Sequence, residues 1–221
     1  MKQLEKNIGY HFRDKNLLRT ALTHSSYANE NRGGLSYNER LEFLGDAVLQ
    51  LVTSEKLFCE NPDMPEGRMS KQRAALVCED ALAGYSTEIG LGEYMLLGKG
   101  EELSGGRNRP SILADAFEAV TGAIFLDGGM NNAKRFVLRF VDAAHLSLQD
   151  YKTLLQEIIQ KNPGERLSYV VTGESGPDHD KSFNVEVHLN SNVIGKGTGK
   201  SKKQAEQAAA KEALALMGYK N

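Results

Sequence analysis

The hydrophobic period of this chain changes near residue 160 and changes back near residue 200, and that double switch bounds the architectures open to it. In "YKTLLQEIIQK" (151–161), Leu154, Leu155, Ile158 and Ile159 still fall at helical spacing. Then "LSYVVT" (167–172) and "SFNVEVHL" (182–189) read as strands, the second alternating Phe183, Val185, Val187 and Leu189 with polar partners. Asn190-Ser191-Asn192 supplies a turn into "VIGKGTG". The alanine-rich "KSKKQAEQAAAKEALALMG" returns to a helix that ends at Gly218. Residues 151–221 therefore spell helix, three strands, helix: a small α+β (αβββα) unit.

Upstream the period is helical almost throughout. From residue 15 to about 143 one helical signal follows another, broken at 31–34, 61–67, 98–110 and 127–131 by Gly, Pro and Asn clusters. An all-α domain over 1–145, a short polar linker at 146–150 and the α+β unit over 151–221 are expected. The charge divides the same way. Residues 1–150 carry 17 Lys and Arg against 21 Asp and Glu, whereas residues 151–221 carry 10 against 8, so the net charge of −2 conceals a mildly basic tail. No stretch approaches the roughly 20 apolar residues of a membrane span. "MKQLEKNIGYHF" lacks the apolar core of a secretory signal, so a cytoplasmic location without membrane contact is expected. Cys59 and Cys78 stand apart without metal-ligand spacing and read as packing residues.

Within the helical part, "NERLEFLGDAVL" (38–49) places acids where a buried helix face is expected. Leu41, Leu44, Val48 and Leu51 make one apolar stripe, and Glu39, Glu42 and Asp46, spaced i, i+3 and i+7, line a second narrow face. Three like charges on one face repel. A solvated helix face would account for them. A second segment, "RPSILADAFEAVTGAIFLDGG" (109–129), opens with Pro110 at a helix start, and its interior is almost entirely apolar or small, with Asp115 and Glu118, again i, i+3, as its only interior acids. Gly122 would let another helix approach closely. Facing carboxylates on two helices suit a hard cation, which takes oxygen ligands and cancels the repulsion. Pairing with Arg or Lys in a core network is the competing explanation. A carboxylate-held Mg²⁺ ordinarily serves phosphoryl transfer.

In the tail, "GKSKK" (199–203) sets Lys200, Lys202 and Lys203 at a helix start, where backbone N–H groups already favour an anion. Cations there oppose the helix dipole, so a phosphate clamp is the expectation. Gln156 and Glu157 on the first helix and Pro177-Asp178-His179 between strands are polar points able to reach sugar hydroxyls in a shallow groove.

"RLEFLGDAVL" together with "SILADAFEAVTGAIFLDGG" resembles the bacterial ribonuclease III family, and the αβββα tail resembles its double-stranded-RNA-binding domain. "LTHSSY" (22–27) and "SKQRAALV" (70–77) follow in the family's order, so the resemblance covers essentially the whole chain. It implies a Mg²⁺-dependent endoribonuclease, with Mn²⁺ as a substitute and no organic cofactor. Both strands of double-stranded RNA would be cut to 5′-phosphate and 3′-hydroxyl ends with short 3′ overhangs, in processing of ribosomal RNA precursors and other structured RNAs. Glu42, Asp115 and Glu118 would ligate the metal, Asp46 would complete the catalytic cluster, and Glu39 would sit at the substrate edge. Thr153, Gln156 and Glu157 would face one minor groove, His179 the next, and Lys200, Ser201, Lys202 and Lys203 the phosphates between, the shape recognition by which such domains span about 16 base pairs. The family's homodimer would pack the signature helices across a two-fold with Phe43 as anchor, though an intrachain core position for Phe43 stays open. A double-stranded-RNA binder that does not cut, and a metal-dependent hydrolase of small phosphorylated substrates, are the alternative functions.

Overall fold

The computed structural model describes residues 1–221 apart from 32–33, 149–150, 161, 163, 178–180 and 220–221, with residues 145–148 described as backbone only. Two compact units divide between Leu148 and Gln149. Among the described residues no helix is long and apolar enough to cross a membrane.

The first unit is all helical: α1 (Lys2–Ile8), α2 (Lys15–Ala21), α3 (Ser25–Glu30), α4 (Glu39–Glu60), α5 (Glu66–Leu76), α6 (Glu79–Glu88), α7 (Leu91–Tyr94), α8 (Lys99–Leu103), a 3₁₀ turn (Gly106–Asn108), α9 (Pro110–Gly128) and α10 (Met130–Leu148). Helix α9 is the spine. Eleven of its residues are buried, because nearly every position outside Asp115 and Glu118 is apolar or small. Phe117 at its centre stacks on Phe136 (5.0 Å between centroids), and Phe136 and Tyr85 pack in turn on Phe140.

Five features differ from the sequence expectation. Helix α1 lies ahead of the expected first helix and is pinned from a distance. The buried Glu5 carboxylate accepts the Phe12 backbone N–H (2.8 Å) and the Lys15 ammonium, and these partners outweigh burial to hold its pKa below the ordinary value. Helix α10 continues through Leu148, into the stretch expected as a linker; "DAAHLSL" contains no glycine or proline to stop it. The 98–110 break holds α8 and the 3₁₀ turn. There Arg107 Nη1 donates to the carbonyls of Gly92 and Met95 (both 2.9 Å), and Glu102 engages its Nε and Nη2. Finally, Leu51 is 56% exposed, and the buried stripe of α4 runs instead through Leu41, Gly45, Val48, Leu49, Val52 and Leu57. At about 100° per residue, Leu51 lies about 80° round from Leu41, on the side away from Gly45 and Leu49. Cys59 and Cys78 are likewise exposed rather than packed.

The second unit comprises α11 (Tyr151–Ile159), β1 (Leu167–Ser175), β2 (Ser182–Leu189), β3 (Asn192–Gly199) and α12 (Lys202–Leu216), with the strands antiparallel in the order β1-β2-β3. Asn190, at φ 56°, makes the tight β2–β3 turn, a conformation asparagine tolerates. Val185 and Val187 point inward onto Leu155, Ala205, Ala209 and Ala213. The helix–sheet seam is close. A Cβ on Gly197 would meet the backbone of α12 at Ala209 N (2.2 Å) and Ala205 O (2.3 Å), so only glycine opposite alanine permits this spacing.

Candidate functional site

Helices α4 and α9 cross where each has a glycine. A Cβ on Gly45 would lie 1.8 Å from the Glu118 carbonyl oxygen, and one on Gly122 would lie 2.3 Å from that of Leu41. The two backbones therefore touch directly. Glu42 sits one turn before Gly45 and Glu118 one turn before Gly122, so the crossing faces the two acids toward each other. Asp115, a further turn back on α9, joins them. Carboxylate oxygens of Glu42, Asp115 and Glu118 all lie within 4.8 Å of one another.

The electrostatics are those of uncompensated, half-buried acids. Burial, followed by the charges of Asp46, Glu42 and Asp115, pushes the Glu118 pKa up to about 8. Burial, then Asp115, Glu39 and Asp46, raises Glu42. Burial raises Asp115, with His24 pulling the other way and Glu79 and Glu39 adding to the rise. Among the described residues, none of the three has a basic side chain within ion-pair reach or a hydrogen-bond donor. The core ion-pair network that could have explained them is not found among the described residues. Three oxygen donors without a cation of the protein's own fit a hard divalent ion.

The other acids lie around this trio. Asp46 is exposed, and its Oδ1 accepts a hydrogen bond from Gln50 Nε2 at 3.2 Å; Glu39 is exposed at the start of α4. Phe43 is 81% exposed, so the intrachain core position weighed for it is not the one it takes. His24 escaped the sequence reading, although "LTHSSY" contains it. It precedes α3, where its Nδ1 accepts the Ser26 backbone N–H (3.2 Å) and meets Ser26 Oγ (2.8 Å), while its charge bears on Asp115. A histidine followed by serines at a helix start was the available signal.

In the second unit, Thr153, Gln156 and Glu157 are exposed on the face of α11 opposite buried Tyr151, Leu155 and Ile159. Ser201 caps α12. Its Oγ accepts from Gln204 N (3.2 Å), and Gln204 Oε1 accepts from the backbone N–H of Lys200 (3.0 Å), a reciprocal cap that fixes where the first turn begins. Lys202 and Lys203 are exposed in that turn; Lys202 Nζ lies 3.5 Å from Glu174 and 5.7 Å from the Phe183 ring centroid. His179 lies outside the described residues.

Comparison with known proteins agrees across both units. The Ribonuclease-III-like family model matches residues 14–144, and the double-stranded RNA binding motif matches residues 151–217. A Ribonuclease 3 from Listeria monocytogenes serotype 4a (strain HCC23) is 48% identical over 219 residues, covering 96% of each chain. That of Desulforamulus reducens is 51% identical over 220 residues, 96% of this chain and 89% of its own. Among solved structures, the nuclease domain of ribonuclease III from Campylobacter jejuni is similar at a TM-score of 0.60 and 46% identity, over 65% of this chain and 95% of that one. A second structure of that domain, with the same TM-score and identity over 64% of this chain and 96% of that one, describes structural flexibility in a region involved in its dimer formation.

Proposed function

The chain belongs to the ribonuclease III family, and from that premise we propose that it is a divalent-metal-dependent endoribonuclease that cuts both strands of double-stranded RNA. The observation that carries this reading is the trio of half-buried carboxylates without basic partners at the α4–α9 crossing, in one chain with an RNA-binding unit. Glu42, Asp115 and Glu118 hold Mg²⁺, for which Mn²⁺ substitutes. When bound, the cation supplies Lewis-acid polarisation of the scissile phosphate and makes water more acidic. The chain's own residues do the positioning. Asp46, one oxygen held by Gln50, keeps its other oxygen to orient water and take its proton, and Glu39 guides substrate at the rim. Hydrolysis leaves 5′-phosphate and 3′-hydroxyl ends with short 3′ overhangs, and ribosomal RNA precursors and other structured RNAs are the substrates.

Capture belongs to the tail. Thr153, Gln156, Glu157 and His179 contact minor grooves, and Lys200, Ser201, Lys202 and Lys203 hold phosphates. Replacing both Lys202 and Lys203 by alanine is expected to weaken duplex binding about tenfold or more at physiological salt and to flatten the log affinity against log salt slope by about 2. Filter binding across a salt series reads both, and an unchanged slope would remove the lysines from the interface.

Two copies act together. Phe43 (81% exposed), Leu51 (56%) and Phe58 (70%) form an apolar stripe along α4 that the protomer leaves uncovered. Leu51 and Phe58 also line a groove of about 420 Å³ between α4 and α5, together with Leu57 and Met69. Phe43 from a second copy fills this groove across a two-fold, and each site then cuts one strand. Phe43→Arg should convert the dimer to a monomer in sedimentation at micromolar concentration while leaving the melting of the nuclease unit nearly unchanged; a persistent dimer would remove the stripe from the interface.

The deciding assay incubates a long mixed-sequence RNA duplex with the protein, with and without Mg²⁺. Metal-dependent cutting of both strands is expected. Tight binding without cutting under Mg²⁺ and Mn²⁺ alike would identify a double-stranded-RNA binder that does not cleave.

A further inference from the structure

Asn38 is 2% exposed, one of few polar side chains buried that deeply among the described residues. Its backbone is fully engaged: the N–H donates to the Thr23 carbonyl (2.9 Å), and the carbonyl accepts from Leu41 N (2.8 Å) and Glu42 N (2.9 Å). Its side chain is not. Asparagine at a helix start ordinarily turns its oxygen onto the first free N–H groups, but Asn38 makes no such cap, and among the described residues its Nδ2 has no acceptor. A buried donor left unpaired is costly and uncommon in a native fold.

The residue four positions on has the opposite deficiency. Glu42 has no hydrogen-bond donor among the described residues, although it belongs to the carboxylate trio. Asn38 already has helical backbone angles (φ −71°, ψ −25°), so its side chain and that of Glu42 share a face one turn apart, the spacing at which an amide and a carboxylate pair on a helix. A carboxylate that gives one oxygen to a cation needs a donor on the other to hold its orientation. We propose that Asn38 is a positioning residue for Glu42, its Nδ2–H donating to the carboxylate oxygen that the cation leaves over. Each unpaired group thereby completes the other once the cation is bound. This rests on the metal-dependent reading of the acids above.

The test is thermal melting of the full chain without RNA across a Mg²⁺ titration, for the parent, Asn38→Ala and Asn38→Leu. The leucine variant is nearly isosteric and keeps the comparison valid if the alanine cavity by itself unfolds the chain. Because no hydrogen bond of the Asn38 side chain is there to be lost among the described residues, at least one variant should melt at or above the parent when Mg²⁺ is withheld. Both should need about 10- to 100-fold more Mg²⁺ for the same upward shift, the range typical of lost outer-sphere partners. On duplex RNA, kcat should fall by a similar factor with KM unchanged. Both variants melting well below the parent without Mg²⁺, or sharing its Mg²⁺ midpoint, would overturn the assignment. Absence of any Mg²⁺ shift in the parent would overturn the metal reading itself, and this inference with it.

Discussion

Glu118→Gln is expected to lower cleavage of an RNA duplex by at least about 10³-fold, the order seen when a group that stabilises transition-state charge is lost, while RNA binding by the tail survives. The same variant should be more stable than the parent when divalent cations are removed at pH 8.5. Burial and three neighbouring acids raise the Glu118 carboxyl from its ordinary 4.5 to about 8. The folded chain thus holds this proton more tightly than the unfolded chain. Its contribution to stability is fully present below about pH 4.5, is lost as pH rises toward 8, and leaves the ionised, metal-free site strained above that. Glutamine mimics the protonated form and removes the loss, so in chelator the variant should melt about 5 °C higher at pH 8.5, as a ~2 kcal/mol difference implies in a unit of this size. Mg²⁺ should reverse the order by stabilising the parent alone. Retained cleavage by Glu118→Gln would exclude Glu118 from the reaction, and a pH-independent gap in melting temperature would exclude the acids as its origin.

Gly45→Ala adds one methyl group, and it should be the most damaging single methyl in the nuclease unit. The new carbon would lie 1.8 Å from the Glu118 carbonyl oxygen, a backbone atom that no rotamer change can move. Helices α4 and α9 must separate, at a cost of about 3 kcal/mol or more, at the upper end for overpacking, which lowers the melting temperature by about 6 to 12 °C. Cleavage should fall further than stability alone explains, because separation moves Glu42 away from Glu118. Differential scanning calorimetry beside single-turnover cleavage measures both effects. A variant that melts like the parent would mean that the crossing is looser than described.

What was legible in the sequence, and what was not, follows from the range of each interaction. The periodicity of "SFNVEVHL" and the glycine, asparagine and proline breaks are local, so the helix and strand segments could be read directly. Spacing alone put Glu42 beside Asp46, and Asp115 beside Glu118, on common helix faces. Bringing Glu42 to Glu118 depends on two glycines 77 positions apart, Gly45 and Gly122, and only Gly122 carried a hint of close approach. Leu51 was placed in the core stripe because an apolar residue near its edge reads the same whether it meets the core or is left uncovered, as it is here. Helix α1 was missed because its anchor, Glu5 to Phe12 and Lys15, is a polar bridge across a turn and leaves no periodic trace. Asn38 left no signal in the sequence that its side chain would be buried without capping the helix; that depends on the fold.

The glycine-on-alanine seam of the second unit bears on how duplexes are told apart. With the backbone of α12 resting directly on β3 at Gly197, Ala205 and Ala209, no flexible side chain lies between them to act as a cushion. The lysines of the first turn are thereby set at a fixed offset from the strands. With the phosphate role proposed above for those lysines, such a unit would work as a caliper rather than a hand, favouring a duplex whose phosphate rows match its gap.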